Sequence, residues 1–301
     1  MPTVPLNLTR PLVRTVERAF ATCKEKKWKL RVQGTIEAQF LFCTALSENI
    51  LPFYVRDLRL VVLPAQIRGN KFVMLRNDEI LAEGCPNTSD WVRRNEEIFA
   101  KKSKDEAMSA QDRLDYQRLL SQQNPKHRFV VLYNKSGSNV CAGYIDLRKI
   151  GEVHGLQPMG FVAESVTYRI YVSSEDEARY LTGFLNSPIV DKRIKPYQTE
   201  GVYAGKRDIH RRPFEVCPIP QFNPADPRHL RIITATKEAK ELVVKWAPKM
   251  TGGLVAVRKK CRALVADQRR VLDEEVLNLL NETATLSRAV DENISAQSKM
   301  F

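Results

Sequence analysis

The chain has 301 residues, 43% of them hydrophobic and 28% charged, and carries a formal net charge of +13. Such a composition suits a globular protein with a core of its own, and no apolar run approaches the ~20 residues that a membrane-spanning helix needs. The first residues, "MPTVPLNLTRPLVRTVERAF", show no basic stretch followed by an apolar one, so no signal peptide is read and a cytoplasmic protein is expected.

In chain order, Leu12, Val13, Val16, Ala19, Phe20 and Cys23 have helical spacing and predict an amphipathic helix over Leu12–Lys27. Strand formers follow from Trp28. Leu58–Leu63 and Lys71–Leu75 read as two strands of a hairpin or meander, with "RGN" as the turn. Ser89–Gln122 is charged and helical, with Ser89 as N-cap and Ser109/Asp112 as a capping box. Phe129–Tyr133 and Val140–Ile145 flank the turn "NKSGSN" and form the clearest hairpin. Phe161–Val172 reads as a further long strand. A helix capped by Ser173 or Ser174 comes next, with acids in its first turn; "NSP" breaks it at Asn186, and Pro188 opens a second helix. Ile232–Trp246 and Leu254–Leu280 read as the helices of a C-terminal tail, paired as a hairpin. The second has an apolar stripe from Leu254 to Leu279 and a basic face carrying Arg258, Lys259, Lys260, Arg262, Arg269 and Arg270. The expected architecture is α+β: a mixed sheet with inserted helices over residues 1–231, then a helical region over 232–301.

Several chemistries are missing from the sequence. There is no G-x-G-x-x-G, no phosphate loop, no H-E-x-x-H and no G-x-S-x-G. The histidines and the six cysteines lack metal-ligand spacing, and the cysteines read as buried free thiols. "EKK" at Glu25–Lys27 is a chance nuclease-like triplet in a basic chain. "NSPI" at Asn186–Ile189 lacks the second proline and the aromatic of an adenine-methylating motif, and Asn186 reads as a helix C-terminal residue. No catalytic residue, metal site or cofactor site is expected in this chain.

Binding is the better reading. The excess of cations suits a polyanionic partner. Four of the eight residues Gly205–Arg212 are Lys or Arg. Arg offers a planar fork for phosphates and guanine edges, so Lys206, Arg207, Arg211 and Arg212 are expected to grip phosphates. Asp208 is expected to pair with a neighbouring Arg; alternatively the loop's arginines bridge to Glu175, Asp176 and Glu177. The apolar "FEVCPIPQF" after the cluster is expected to run extended and anchor it. Candidate base contacts are Asn134, Ser136, Ser138 and Asn139 at the hairpin tip, with Lys135 adding charge, together with His210 and Gln198, the last with Tyr197 packed beneath it.

The segment "YVSSEDEARYLTGFLNSPIVDKRIKPYQTEGVYAGKRDIHRRPFEVCPIPQFNPADPRHLRI" resembles the C-terminal specificity domain of N-6 adenine DNA methyltransferases of restriction–modification and phage-defence systems. The likeness extends over about Asp112 to Leu230, and the catalytic half of such enzymes is missing. The resemblance implies a target-recognition module that binds double-stranded DNA. It implies a separate catalytic methyltransferase subunit as partner, which would hold S-adenosylmethionine. The competing expectation is a non-catalytic scaffold subunit whose tail and Ser89–Gln122 helices bind protein.

Overall fold

A computed structural model describes residues 2–4, 10–16, 30–103, 107–165, 167–198 and 208–297, with side chains from residue 10 to residue 283 of that set. The strands are β1 (Pro2–Val4), β2 (Leu12–Arg14), β3 (Gln33–Thr35), β4 (Leu41–Thr44), β5 (Ile50–Leu51), β6 (Tyr54–Val55), β7 (Arg59–Val62), β8 (Ala65–Arg68), β9 (Lys71–Met74), β10 (Phe129–Asn134), β11 (Ala142–Asp146) and β12 (Thr167–Val172). The helices are α1 (Asn77–Ala82), α2 (Pro86–Lys102), α3 (Ala110–Leu114), α4 (Glu175–Asn186), α5 (Pro188–Ile194), α6 (Arg212–Val216), α7 (Pro227–Trp246), α8 (Leu254–Leu264) and α9 (Ala266–Gln297). The fold class is α+β, with small antiparallel sheets among helices.

The chain forms two compact units. One comprises Met1–Ala45, Asp57–His127 and Leu147–Ser165; the other comprises Leu46–Arg56, Arg128–Asp146 and Val166–Phe301. The division is interleaved, so it does not fall at residue 231, and the tail helices belong to the unit that holds the β10–β12 sheet.

In the first unit, β1, β2 and β3 form one antiparallel sheet, β4 pairs with β7, and β8 pairs with β9. Here the sequence misleads. Leu12–Arg14 is a strand, not the start of a helix, because β1 and β3 offer it partners; residues 17–27 of that predicted helix, Glu25–Lys27 among them, lie outside the described residues. The "RGN" turn joins β8 to β9 through Gly69 at φ 63°, while β7 pairs back to β4. The charged helix is broken into α2 and α3, and α2 begins at Pro86 with Cys85 as N-cap, so Ser89 lies inside it. The buried Glu37 carboxylate covers the start of α2, accepting from the Asn87 and Thr88 N–H groups, Asn87 Nδ2 and Thr88 Oγ1 at 2.6–3.2 Å. Burial raises its carboxyl, but these hydrogen bonds outweigh burial and hold it below the ordinary value. The Ser109–Asp112 capping box forms as expected.

In the second unit, β10 is the central strand between β11 and β12 and is buried along its whole length, which suits its run "FVVLYN". The predicted hairpin is in place, with Phe129 opposite Asp146 and Tyr133 opposite Ala142. β12 begins only at Thr167. Phe161 instead bridges to Cys43 in the first unit. Ser174 caps α4 by accepting from the Glu177 N–H, and Pro188 sits in the first turn of α5. Asn186 ends α4 and is buried. Its amide clamps β11, accepting from Ala142 N at 3.2 Å and donating to Ala142 O at 2.9 Å.

The tail helix predicted over Leu254–Leu280 is interrupted. Val265, at φ −109° and ψ 32°, separates α8 from α9. Val257, Cys261, Val265, Leu272 and Val276 are buried in the same core as α4 and α7. Ion pairs Arg231–Glu275 and Arg228–Glu282 tie α9 to α7, so the predicted helical hairpin forms. Cys43, Cys85, Cys141, Cys217 and Cys261 are buried free thiols as expected; Cys23 lies outside the described residues. No helix among the described residues is long and apolar enough to cross a membrane.

Candidate nucleic-acid interface

Two segments that the sequence marks separately meet at one end of the β10–β11 hairpin. The Lys135 carbonyl accepts from the Ile209 N–H at 3.0 Å and the His210 N–H at 3.1 Å. Ser136 and Asp208 form an antiparallel bridge. The Tyr133 hydroxyl donates to the His210 carbonyl at 3.0 Å, and the Tyr168 hydroxyl meets His210 Nδ1 at 3.2 Å. Burial pushes the Tyr133 phenol well above its ordinary range, so it stays a neutral donor. Ile209, fully buried, pins the loop from below.

The backbone at His210 is unusual. Its φ of 44° is a left-handed conformation that costs a side chain with a Cβ. The two tyrosine hydroxyls and Lys135 fix it in place. Asp208 lies 3.4 Å from His210 Nε2; Arg207, the arginine next to it in the chain, lies outside the described residues.

After the turn, Arg211 caps α6, and the Phe214 and Glu215 N–H groups bond to its carbonyl at 2.9 and 3.1 Å. The predicted extended segment therefore opens as one helical turn, entered through the buried Pro213. Arg211 is exposed. Arg212 pairs with Glu215 at 3.1 Å on the surface. The acids offered as alternative partners are engaged elsewhere: Glu175 and Asp176 pair with Arg179, and Glu177 accepts from the Ser173 N–H.

The predicted contact residues divide into three groups. Lys135, Ser136, Ser138, His210, Arg211 and Arg212 are partly or fully exposed around the joined turn. Asn134 is fully buried: its amide donates to Ser136 O and Asn139 O at 2.9 and 3.1 Å and accepts from Cys141 N at 2.7 Å. It shapes the tip and cannot present its amide to a base. Asn139 is intermediate, with its amide donating to Asp191 at 2.9 Å. Asp191 also accepts from Val140 N at 2.7 Å. Burial pushes its carboxyl up, against the pull of those hydrogen bonds and of Arg262 and Arg269.

Gln198 stands apart, with both amide atoms buried and no hydrogen-bond partner among the described residues. Tyr197 is 54% exposed. Lys206 and Arg207 lie outside the described residues.

The sequence reading missed the aromatic backing of the loop. Tyr133 and Tyr168 stack at 5.1 Å, and Phe214 lies 6.1 Å from Tyr133. The available signal was an aromatic directly after Arg-Arg-Pro. The reading also missed that Arg258, Arg262 and Arg269 face inward. They donate to carbonyls of Ile50, Val140 and Asn186. Burial lowers the Arg269 guanidinium.

Among the described residues, no group of three or more His, Cys, Asp or Glu is placed to hold a metal ion. No protein-family model matches the chain, and no curated protein matches it significantly.

Proposed function

We propose that this chain is a double-stranded DNA recognition subunit that works with a separate N-6 adenine DNA methyltransferase, the partner holding S-adenosylmethionine. One observation carries the reading: the polar hairpin tip at Lys135–Asn139 and the basic turn at His210–Arg212 are hydrogen-bonded into one exposed surface. Cations grip phosphates and short polar side chains read base edges, and here both kinds share a rigid frame. Preorganisation lowers the entropy lost on binding. Arg211, Arg212 and Lys135 take the phosphate role, joined by Lys206 and Arg207 from the sequence. Ser136, Ser138, Asn139 and His210 take the base-edge role. The chain supplies no catalytic group in this reading.

The test is duplex binding by the purified chain across a salt series. A steep dependence of affinity on salt is expected, falling by about 0.9 in log–log slope for each phosphate contact removed by Arg211→Ala or Arg212→Ala. Unchanged slopes in both variants remove the basic turn from the interface. A second reading, a protein-binding scaffold, draws on the exposed Leu114, Tyr116 and Leu119 in and after α3. Absence of duplex binding at low salt selects it.

A further inference from the structure

Resting on the DNA reading, we infer that Phe214 is a stacking side chain for a DNA base that has left the duplex stack. Phe214 is 40% exposed, an apolar ring between Pro213 and Glu215, with Arg211 and Arg212 three and two residues before it and Arg212 paired to Glu215. An exposed ring beside Arg211 and the Arg212–Glu215 pair has little to gain from water and much from the face of a base, because every base offers a π-surface and a nearby phosphate.

The ring is also held still. Pro213, the residue before it, is buried, and the Phe214 N–H is bonded to Arg211 O at 2.9 Å. Behind it stands Tyr133, tilted 43° to the ring, and Tyr133 is itself stacked on Tyr168 with 13° between planes. A rigid aromatic loses little freedom when it stacks. A ring with this backing is suited to entering the gap at an unstacked step, where apolar wedges are used in DNA-bending proteins. Arg211, exposed and one helical turn away, holds the phosphate beside that gap.

The experiment uses the full chain and two short duplexes of the same sequence, one fully paired and one with a single unpaired nucleotide. Affinity is read by fluorescence anisotropy at several salt concentrations. The wild type is expected to prefer the duplex with the unpaired nucleotide. Phe214→Ala and Phe214→Leu are expected to lose roughly tenfold on that duplex, with the salt slope unchanged. Phe214→Trp is expected to retain the affinity and to show quenched indole fluorescence on binding. Leu keeps an apolar side chain against Tyr133, and a melting temperature equal to the wild type's separates lost stacking from lost folding. If both truncations bind both duplexes as the wild type does, the stacking role is overturned while DNA recognition stands. If the wild type binds neither duplex at low salt, the DNA reading falls and takes this inference with it.

Discussion

The Asn134 side chain does the work of a small turn by itself. Its amide satisfies three backbone groups within the tip, two carbonyls and one N–H. Gly137, at φ 147°, lies so close that a Cβ there would stand 2.9 Å from Asn134 Nδ2. Asn134→Ala leaves a buried N–H unpaired, and a loss of about 3 kcal/mol is expected in urea unfolding. The same variant at low denaturant is expected to bind DNA with an unaltered salt slope, since Asn134 touches no phosphate in this reading. A stable variant with a changed slope would return Asn134 to the contact surface.

At the scale of elements, α7 shows how a local signal sets an end. Asp226 caps it, accepting from the Arg228 N–H at 2.8 Å, and also holds the Arg228 guanidinium at 2.7 Å. The Arg228 hydrogen bond outweighs burial and holds the Asp226 carboxyl down from 3.8 to about 2. A carboxyl depressed in the folded state contributes stability above its unfolded value and loses it as pH falls through the folded one. Asp226→Asn keeps a capping oxygen but no longer titrates. The stability gap between wild type and this variant is therefore expected to shrink as the pH is lowered from 3.8 toward about 2. A constant gap in thermal melts across that window would contradict the assignment. Close approach sets another limit: a Cβ on Gly183 of α4 would lie 2.9 Å from Ile232 Cγ2 of α7 and 3.1 Å from Leu272 Cδ2 of α9. Gly183→Ala is expected to cost about 1–3 kcal/mol by overpacking, read as a lower melting temperature. An unchanged melting temperature would mean that these helices have room to part.

The same elements show what was legible in the sequence. The β10–β11 hairpin, the Ser174 cap, the Ser109–Asp112 box and Pro188 in a first turn follow from neighbours a few residues apart. Leu12–Arg14 failed because helical spacing over a short stretch carries less weight than strand partners supplied from elsewhere. The break at Val265 left no Gly or Pro to read. The site was half legible. Each segment stood out by composition, but the Lys135–His210 pairing joins residues far apart in the chain, and no local pattern encodes it.

At the scale of the whole molecule, the net charge of +13 is not all available to a partner. Arg258, Arg262 and Arg269 point their guanidinium groups at backbone carbonyls within the second unit. Sequence alone places them on an outward basic face. They fasten α8 and α9 to the β5 strand, the root of β11 and the end of α4. Arg262→Ala is expected to lower stability by about 1–3 kcal/mol, seen as a reduced denaturation midpoint, and to leave the salt dependence of DNA binding untouched. Arg211→Ala is expected to do the reverse. A salt slope that falls with Arg262→Ala would place that arginine at the interface after all.

The clamp beneath the hairpin tip separates shape from lettering. Asn134 bonds to backbone atoms, so the course of the tip is set without reference to the side chains of Lys135, Ser136 and Ser138. The Lys135 carbonyl that receives the basic turn is likewise main chain. These positions behave like type in a fixed frame: characters can be exchanged while the press stays the same. A library randomised at Ser136 and Ser138, with Asn134, Lys135 and Gly137 kept, is the natural starting point for redirecting the base readout proposed for this surface.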